Sequence, residues 1–121
     1  MKYILIILTS LTMISFGKKE KENNSYIIEI TTFKIKSTVN TKDFWKEDAK
    51  IDANYTSKQS GYISRESGFD NDTNEILVVA KWNTKKDADA SMQKFMTDNS
   101  VADYVNMIEG TTMKMKRYVV D

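Results

Sequence analysis

The chain has 121 residues with 18 basic and 17 acidic side chains, so neither sign of charge dominates and nothing points to a nucleic-acid partner. Cysteine and histidine are both absent, which removes disulfides, thiolate nucleophiles, zinc–thiolate sites, Ser-His-Asp triads and haem held by a proximal histidine. Any chemistry is left to Asp, Glu, Lys, Arg, Tyr, Asn or a bound molecule, and no cofactor or metal is expected.

The opening "MKYILIILTSLTMISFGKKEKENNS" places Lys2 before an uncharged run from Tyr3 to Phe16 and closes that run on Ser15-Phe16-Gly17. These are the parts of a secretory signal, and the run is shorter than the roughly 20 apolar residues a membrane-spanning helix needs. Residues 1–17 are therefore expected to direct export to the periplasm or beyond and to be cleaved. Retained, they would form an N-terminal anchor. No cysteine follows the small residues, which excludes lipid attachment there. Residues 18–25, "KKEKENNS", read as a short solvated tether. Residues 26–121 amount to one small domain, with no membrane contact expected after signal cleavage.

"YIIEITTFKIK" (26–36) is rich in Ile, Thr, Tyr and Phe and predicts a strand. Asn40 with Asp43 (Thr41 is the other candidate cap) starts a helix to about Lys58, broken by Ser60-Gly61. A strand over Tyr62–Ser67, a hairpin loop over 68–74 and a strong strand "EILVVAKW" (75–82) follow. Thr84 with Asp87 opens a second helix to about Asp98, whose apolar stripe is Ala88, Met92, Phe95 and Met96. Ser100 with Asp103 caps a short third helix carrying Val101, Tyr104, Val105 and Ile108, closed by Gly110. "TTMKMKRYVV" (111–120) is the last strand. The order β-α-β-β-α-(α)-β predicts a ferredoxin-like α+β fold with a four-stranded antiparallel sheet.

Helices on one side of such a sheet leave its other face uncovered. Yet the strands are apolar on both faces. Ile76, Val78, Ala80 and Trp82 share one face of the third strand; Leu77 and Val79 share the other with Lys81. In the last strand Met113, Met115 and Val119 lie with Arg117, opposite Tyr118 and Val120. A second copy packed sheet to sheet is the economical cover, so a homodimeric α+β barrel is expected. In "GYISRE" (61–66) plain alternation places Tyr62, Ser64 and Glu66 opposite Ile63 and Arg65, with neither face cleanly apolar.

The first helix holds a further anomaly. Phe44, Ile51 and Tyr55 form an apolar stripe that Trp45, Ala49 and Ala53 widen, and Asp48 and Asp52 fall between the two groups. Four residues apart, these carboxylates stack on one face. A strand cation across the helix–sheet gap, Arg65 or Lys81, is the expected partner.

The blocks "IIEITTFKIK", "GYISRE", "VVAKW", "KFMTDNSVADYVNMIE" and "MKMKRYVV" together resemble the antibiotic biosynthesis monooxygenase domain family over about residues 26–120. The resemblance implies a monomer that dimerises through its sheet and holds a pocket between sheet and helices. Some members oxidise phenolic polyketides or quinols with O₂ and neither metal nor flavin, and related members degrade haem through a histidine ligand. Here Lys81 stands where many relatives have Arg before the third-strand Trp. Arg117 stands where many have His after the final-strand Met, which disfavours the haem route.

A cofactor-free oxygenase needs a base, a cation beside the forming anion and an aromatic wall. Asp52 or Asp48 is the expected base and Arg65 or Lys81 the expected cation. Trp45, Tyr55, Tyr62 and Trp82 are candidates for the wall, Asn54 for a hydrogen bond to a ligand oxygen, and Arg117 for a further polar contact. The alternatives are a non-catalytic dimer that binds a small aromatic or apolar molecule, and a dimer defined only by its interaction surface.

Overall fold

Ile27, Glu29, Thr31 and Phe33 are buried and alternate with half-buried Ile28, Ile30 and Thr32, so strand β1 (Tyr26–Ile35) uses both its faces. The computed structural model describes residues 25–121; the expected signal segment and nearly all of the tether lie outside the described residues. After β1 the Asn40 side chain accepts from the Lys42 and Asp43 amides at 2.8 and 3.4 Å and starts helix α1 (Thr41–Asn54). This is the expected cap, satisfying donors that the first helical turn leaves unpaired.

Helix α1 is shorter than its sequence suggests. Tyr55 caps the helix, its amide still on the Ile51 carbonyl, and the chain tightens into a 3₁₀ turn over Thr56–Lys58. The reason is tertiary: the Tyr55 ring is buried in the core and its hydroxyl donates to the Ser91 carbonyl at 3.1 Å. Gly61 then turns the chain at φ +78°, in the left-handed region, with the Asp87 side chain occupying the place of a Cβ.

Strand β2 (Tyr62–Asp70) runs through the expected loop, because Gly68 and Phe69 pair with Leu77 and Ile76 of the strongly strand-forming β3 (Glu75–Trp82). The hairpin loop is only 71–74. It is closed by the Asn74 amide on the Asp70 carbonyl at 2.8 Å and by the Asp72 amide on Asp70 Oδ1 at 2.9 Å.

Thr84 accepts from the Asp87 amide at 3.0 Å and starts helix α2 (Lys85–Phe95), again at the expected cap. The expected stripe changes at its end. The helix stops at Phe95, Met96 is 69% exposed, and Ser91 is buried with Ala88. Asp98, not Ser100, caps the next 3₁₀ turn (Asn99–Val101), accepting from the Ser100 amide at 2.8 Å. Helix α3 is only Ala102–Asn106. Ile108 and Gly110 belong to strand β4 (Ile108–Val120): the Lys36 amide bonds to the Met107 carbonyl, so pairing with the chain after β1 begins where the helix ends.

The sheet has the order β2-β3-β1-β4, antiparallel throughout. This is the ferredoxin-like α+β fold expected from the element order. Two buried clusters lie between sheet and helices. One gathers Phe33, Phe44, Ile51, Tyr55, Ile76, Val101, Tyr104 and Ile108; the other gathers Ile27, Ala80, Trp82 and Ala88. Among the described residues no helix is long and apolar enough to cross a membrane.

Candidate functional site

A cavity of about 80 Å³ opens where the two core clusters meet. Its aromatic wall is Tyr55, Phe95, Tyr104, Phe33 and Trp82, drawn from helices and sheet alike, with Met92 and Met113 as adaptable filler. Glu29, Thr31, Arg65 and Ser91 supply polar groups. Apolar walls with a few converging polar groups are the usual make-up of a small-molecule site.

Arg65 reaches the cavity because β2 contains a bulge. Tyr62 pairs with Trp82 and Ser64 with Lys81, leaving Ile63 as an extra residue. In unbroken alternation Tyr62 and Arg65 would face opposite sides. With the bulge both face the helices, and Ile63 is 43% exposed.

The expected pairing of a strand cation with the helical carboxylates is present. Arg65 donates to both Asp48 oxygens, at 2.7 and 3.3 Å, with side-chain exposures of only 5% and 9%. The Tyr104 hydroxyl donates to Asp48 Oδ1 at 2.8 Å and accepts from Arg65 at 3.3 Å. Burial and the charge of Asp48 hold the Tyr104 phenol well above its ordinary range, against the opposing pull of Arg65. For Arg65, burial works against the charged form, but the hydrogen bonds and charge of Asp48, with Tyr104 and Asp52, leave it more firmly protonated than usual.

A second network stands on the other side of the cavity. Trp82 Nε1 donates to Glu29 Oε1 at 3.3 Å, and Arg117 Nε donates to Glu29 Oε2 at 2.8 Å. Arg117 also bonds to Asp89 on α2, whose carboxyl is held below its ordinary range, first by its hydrogen bond from Lys85. Each network thus ties one helix to the sheet through an arginine: α1 through Arg65 and α2 through Arg117.

Several expected site residues lie elsewhere. Lys81 points to the uncovered face of the sheet, over the Tyr26 ring at 5.6 Å, because it alternates with cavity-facing Ala80 and Trp82. It is not the cavity's cation. Half-buried Trp45 packs edge-on against Phe44 at 5.2 Å at the margin of the core, and Asn54 is exposed on the last turn of α1. Neither lines the cavity. Asp48 stands behind Arg65, and its oxygens already accept three hydrogen bonds, the position of an anchor rather than a free base. Asp52 sits at the edge of the site, its Oδ1 3.5 Å from the Tyr62 hydroxyl. Tyr62 stacks edge-on against Trp82 at 6.3 Å, and burial followed by the Asp52 charge raises its pKa. Arg117 faces the helices and touches the site through Glu29. Of the expected residues, Arg65, Tyr55 and Trp82 line the cavity directly.

Glu29 and Tyr104 are the residues the sequence reading passed over. Glu29 carried a signal. A glutamate alternating with Ile27, Thr31 and Phe33 interrupts a buried strand face just as Asp48 interrupts a helical one. Tyr104 gave none, because an aromatic on a short apolar helix reads as core.

No family model matches the sequence, and no curated protein matches it. Solved structures do match its fold. SnoaB, a cofactor-independent oxygenase from Streptomyces nogalater, superposes with a TM-score of 0.55 at 10% identity, over 80% of this chain and 92% of that one. A candidate antibiotic biosynthesis monooxygenase from Chloroflexus aurantiacus gives 0.61 at 12% identity, over 79% and 93%. Protein YJCS gives 0.59 at 17% identity, over 81% and 100%. At these identities the likeness is one of fold. The chain has the ferredoxin-like architecture of antibiotic biosynthesis monooxygenase domains.

Proposed function

We propose that this protein binds a small aromatic molecule between sheet and helices and acts on it as a cofactor-independent monooxygenase. The observation that carries the reading is the cavity itself: an aromatic enclosure crossed by buried charges, in the fold that a cofactor-independent oxygenase also has. In such a reaction the substrate supplies every electron. A hydroquinone becomes a hydroxyquinone: one atom of O₂ enters a ring C–H bond as a hydroxyl, and the other leaves as water with the two hydrogens lost as the diol becomes a dione. The chain's part is to hold the ring, exclude bulk water and stabilise the developing negative charge. Arg65 is the cation placed to do so.

Cavity size limits the substrate. About 80 Å³ takes a few waters or one small ring, so a fused multi-ring substrate requires the mouth to widen. The test is oxygen uptake by the purified protein with a single-ring hydroquinone, in the presence of a chelator. Uptake proportional to protein and abolished by Arg65→Met is the expected result. Saturable binding without uptake would establish the second reading, a dimeric module that holds a small ring unchanged.

Export belongs to the same proposal. The uncharged Tyr3–Phe16 run supports it, and mass spectrometry of the cell-made protein should find an N-terminus near Lys18. An intact Met1 on protein recovered from the cytoplasm would refute it.

A further inference from the structure

We infer that Glu29 selects the ligand: it accepts a hydrogen bond from a hydroxyl or amino group on a neutral ring, and it turns away rings that carry a negative charge. The inference rests on the reading of the cavity as a small-molecule site.

Glu29 is a carboxylate that lines the cavity with its side chain only 9% exposed. Its two oxygens are held by different donors, Trp82 Nε1 on Oε1 and Arg117 Nε on Oε2. Each carboxylate oxygen can accept two hydrogen bonds. Capacity therefore remains on the group after both structural bonds are made. The contact from Trp82 is also the longer of the two, so Oε1 is the less committed oxygen.

Electrostatics point the same way. Arg65 is paired with Asp48, with Asp52 farther off, and Arg117 is shared by Glu29 and Asp89. The two networks together carry more negative than positive charge. The remaining counter-charge, Lys85 on Asp89, is 69% exposed and screened by water. An anion entering the cavity loses its hydration and meets Glu29 on the wall, while Arg65, the cation of that wall, is already paired with Asp48. A neutral donor meets an oriented acceptor. Thr31 and Ser91, also on the wall, do not oppose this choice, since a hydroxyl serves as donor or acceptor.

Phenol and toluene have nearly the same shape and differ in the donor. Water-to-cavity transfer alone favours toluene, so a preference for phenol isolates the hydrogen bond. Trp82 donates to Glu29 and reports on the site by fluorescence once Trp45, the other tryptophan, is replaced in a Trp45→Phe variant. In that protein phenol should bind about 10-fold or more tightly than toluene, the scale expected of a hydrogen bond to a charged group, and benzoate should not saturate. Glu29→Gln should shrink the phenol preference several-fold and admit benzoate. The phenol–toluene comparison is made on the intact carboxylate, so it stands even if the Gln variant folds poorly. Toluene binding as tightly as phenol, or benzoate binding as tightly as either, would overturn the role of Glu29 while leaving the cavity a small-ring site. Failure of all three to bind would overturn both.

Discussion

Arg65 is worth most to this molecule as one half of a pair. Its charge and that of Asp48 are both removed from water, and each is tolerable only because the other is present with Tyr104 completing the shell. Truncation of either partner strands the other. Arg65→Ala and Asp48→Ala are each expected to cost about 3–5 kcal/mol, read as a shift in the urea midpoint. Asp52, half-buried at the cavity's edge, should cost far less, and Asp52→Asn about 0.5 kcal/mol or below. An equal loss at Asp48 and Asp52 would contradict the division of roles between them. Tyr104 adds a pH dependence whose sign is fixed. Its folded-state pKa is raised above 10.0, so the unfolded chain loses the phenolic proton first. Stability is full below about pH 10 and falls above it, by up to about 1.4 kcal/mol per pH unit. Wild type and Tyr104→Phe should therefore converge as the pH climbs from 9 to 11 in parallel urea titrations. Curves that stay parallel would show that the phenol is not held neutral.

At the scale of elements, the bulge at Ile63 decides what the site contains. Sequence alternation sets Tyr62 and Arg65 on opposite faces, and the structure puts them on one, because a single inserted residue reverses the parity of the strand. Nothing local in "GYISRE" marks the insertion; it follows from pairing with β3 and from the entry through Gly61. Ile63 is the residue the pairing skips, so deleting it leaves Arg65 opposite Ala80 and facing Asp48, and should cost far less stability than Arg65→Ala. Comparable melts for the two changes would contradict the register. The same contrast explains what was legible elsewhere. Asn40 and Thr84 could be read as caps because capping needs only a side chain and the next turn's amides. The four strands could be read because their composition is strongly β-forming. The ends could not: α1 stops where tertiary packing claims Tyr55, and Gly110 is taken into β4 by pairing next to β1 rather than used to end α3. In the site, charges that interrupt a helical stripe led to Asp48 and a strand partner. The choice between Arg65 and Lys81 required the register.

At the scale of the whole molecule, the helices leave one sheet face uncovered, and apolar side chains are exposed on it. Leu77 is 38% and Tyr118 40% exposed there, and half-buried Ile28, Ile30 and Val79 lie between them. Contiguous apolar surface of this kind is uncommon on soluble monomers unless it is an interface. The cations on this face are amphipathic: Lys81 lies over Tyr26 and Lys116 over Tyr118, each laying its aliphatic stem along apolar surface with the ammonium against a ring. Apolar side chains interleaved with amphipathic cations, and with Glu66 opposite Val79, have the mixed make-up of a protein–protein interface. We propose that two copies pack through this face, and sedimentation of the purified protein at micromolar concentration should find a dimer. Leu77→Lys with Val79→Glu should give a folded monomer with the far-ultraviolet spectrum of the parent, since neither side chain lines the cavity or belongs to the buried clusters. The pair of substitutions also separates assembly from the site: if phenol still binds the monomer, the cavity is complete within one chain, and if binding is lost with the fold intact, packing of the two sheets holds the site in shape. A parent protein that sediments as a compact monomer would refute the interface outright.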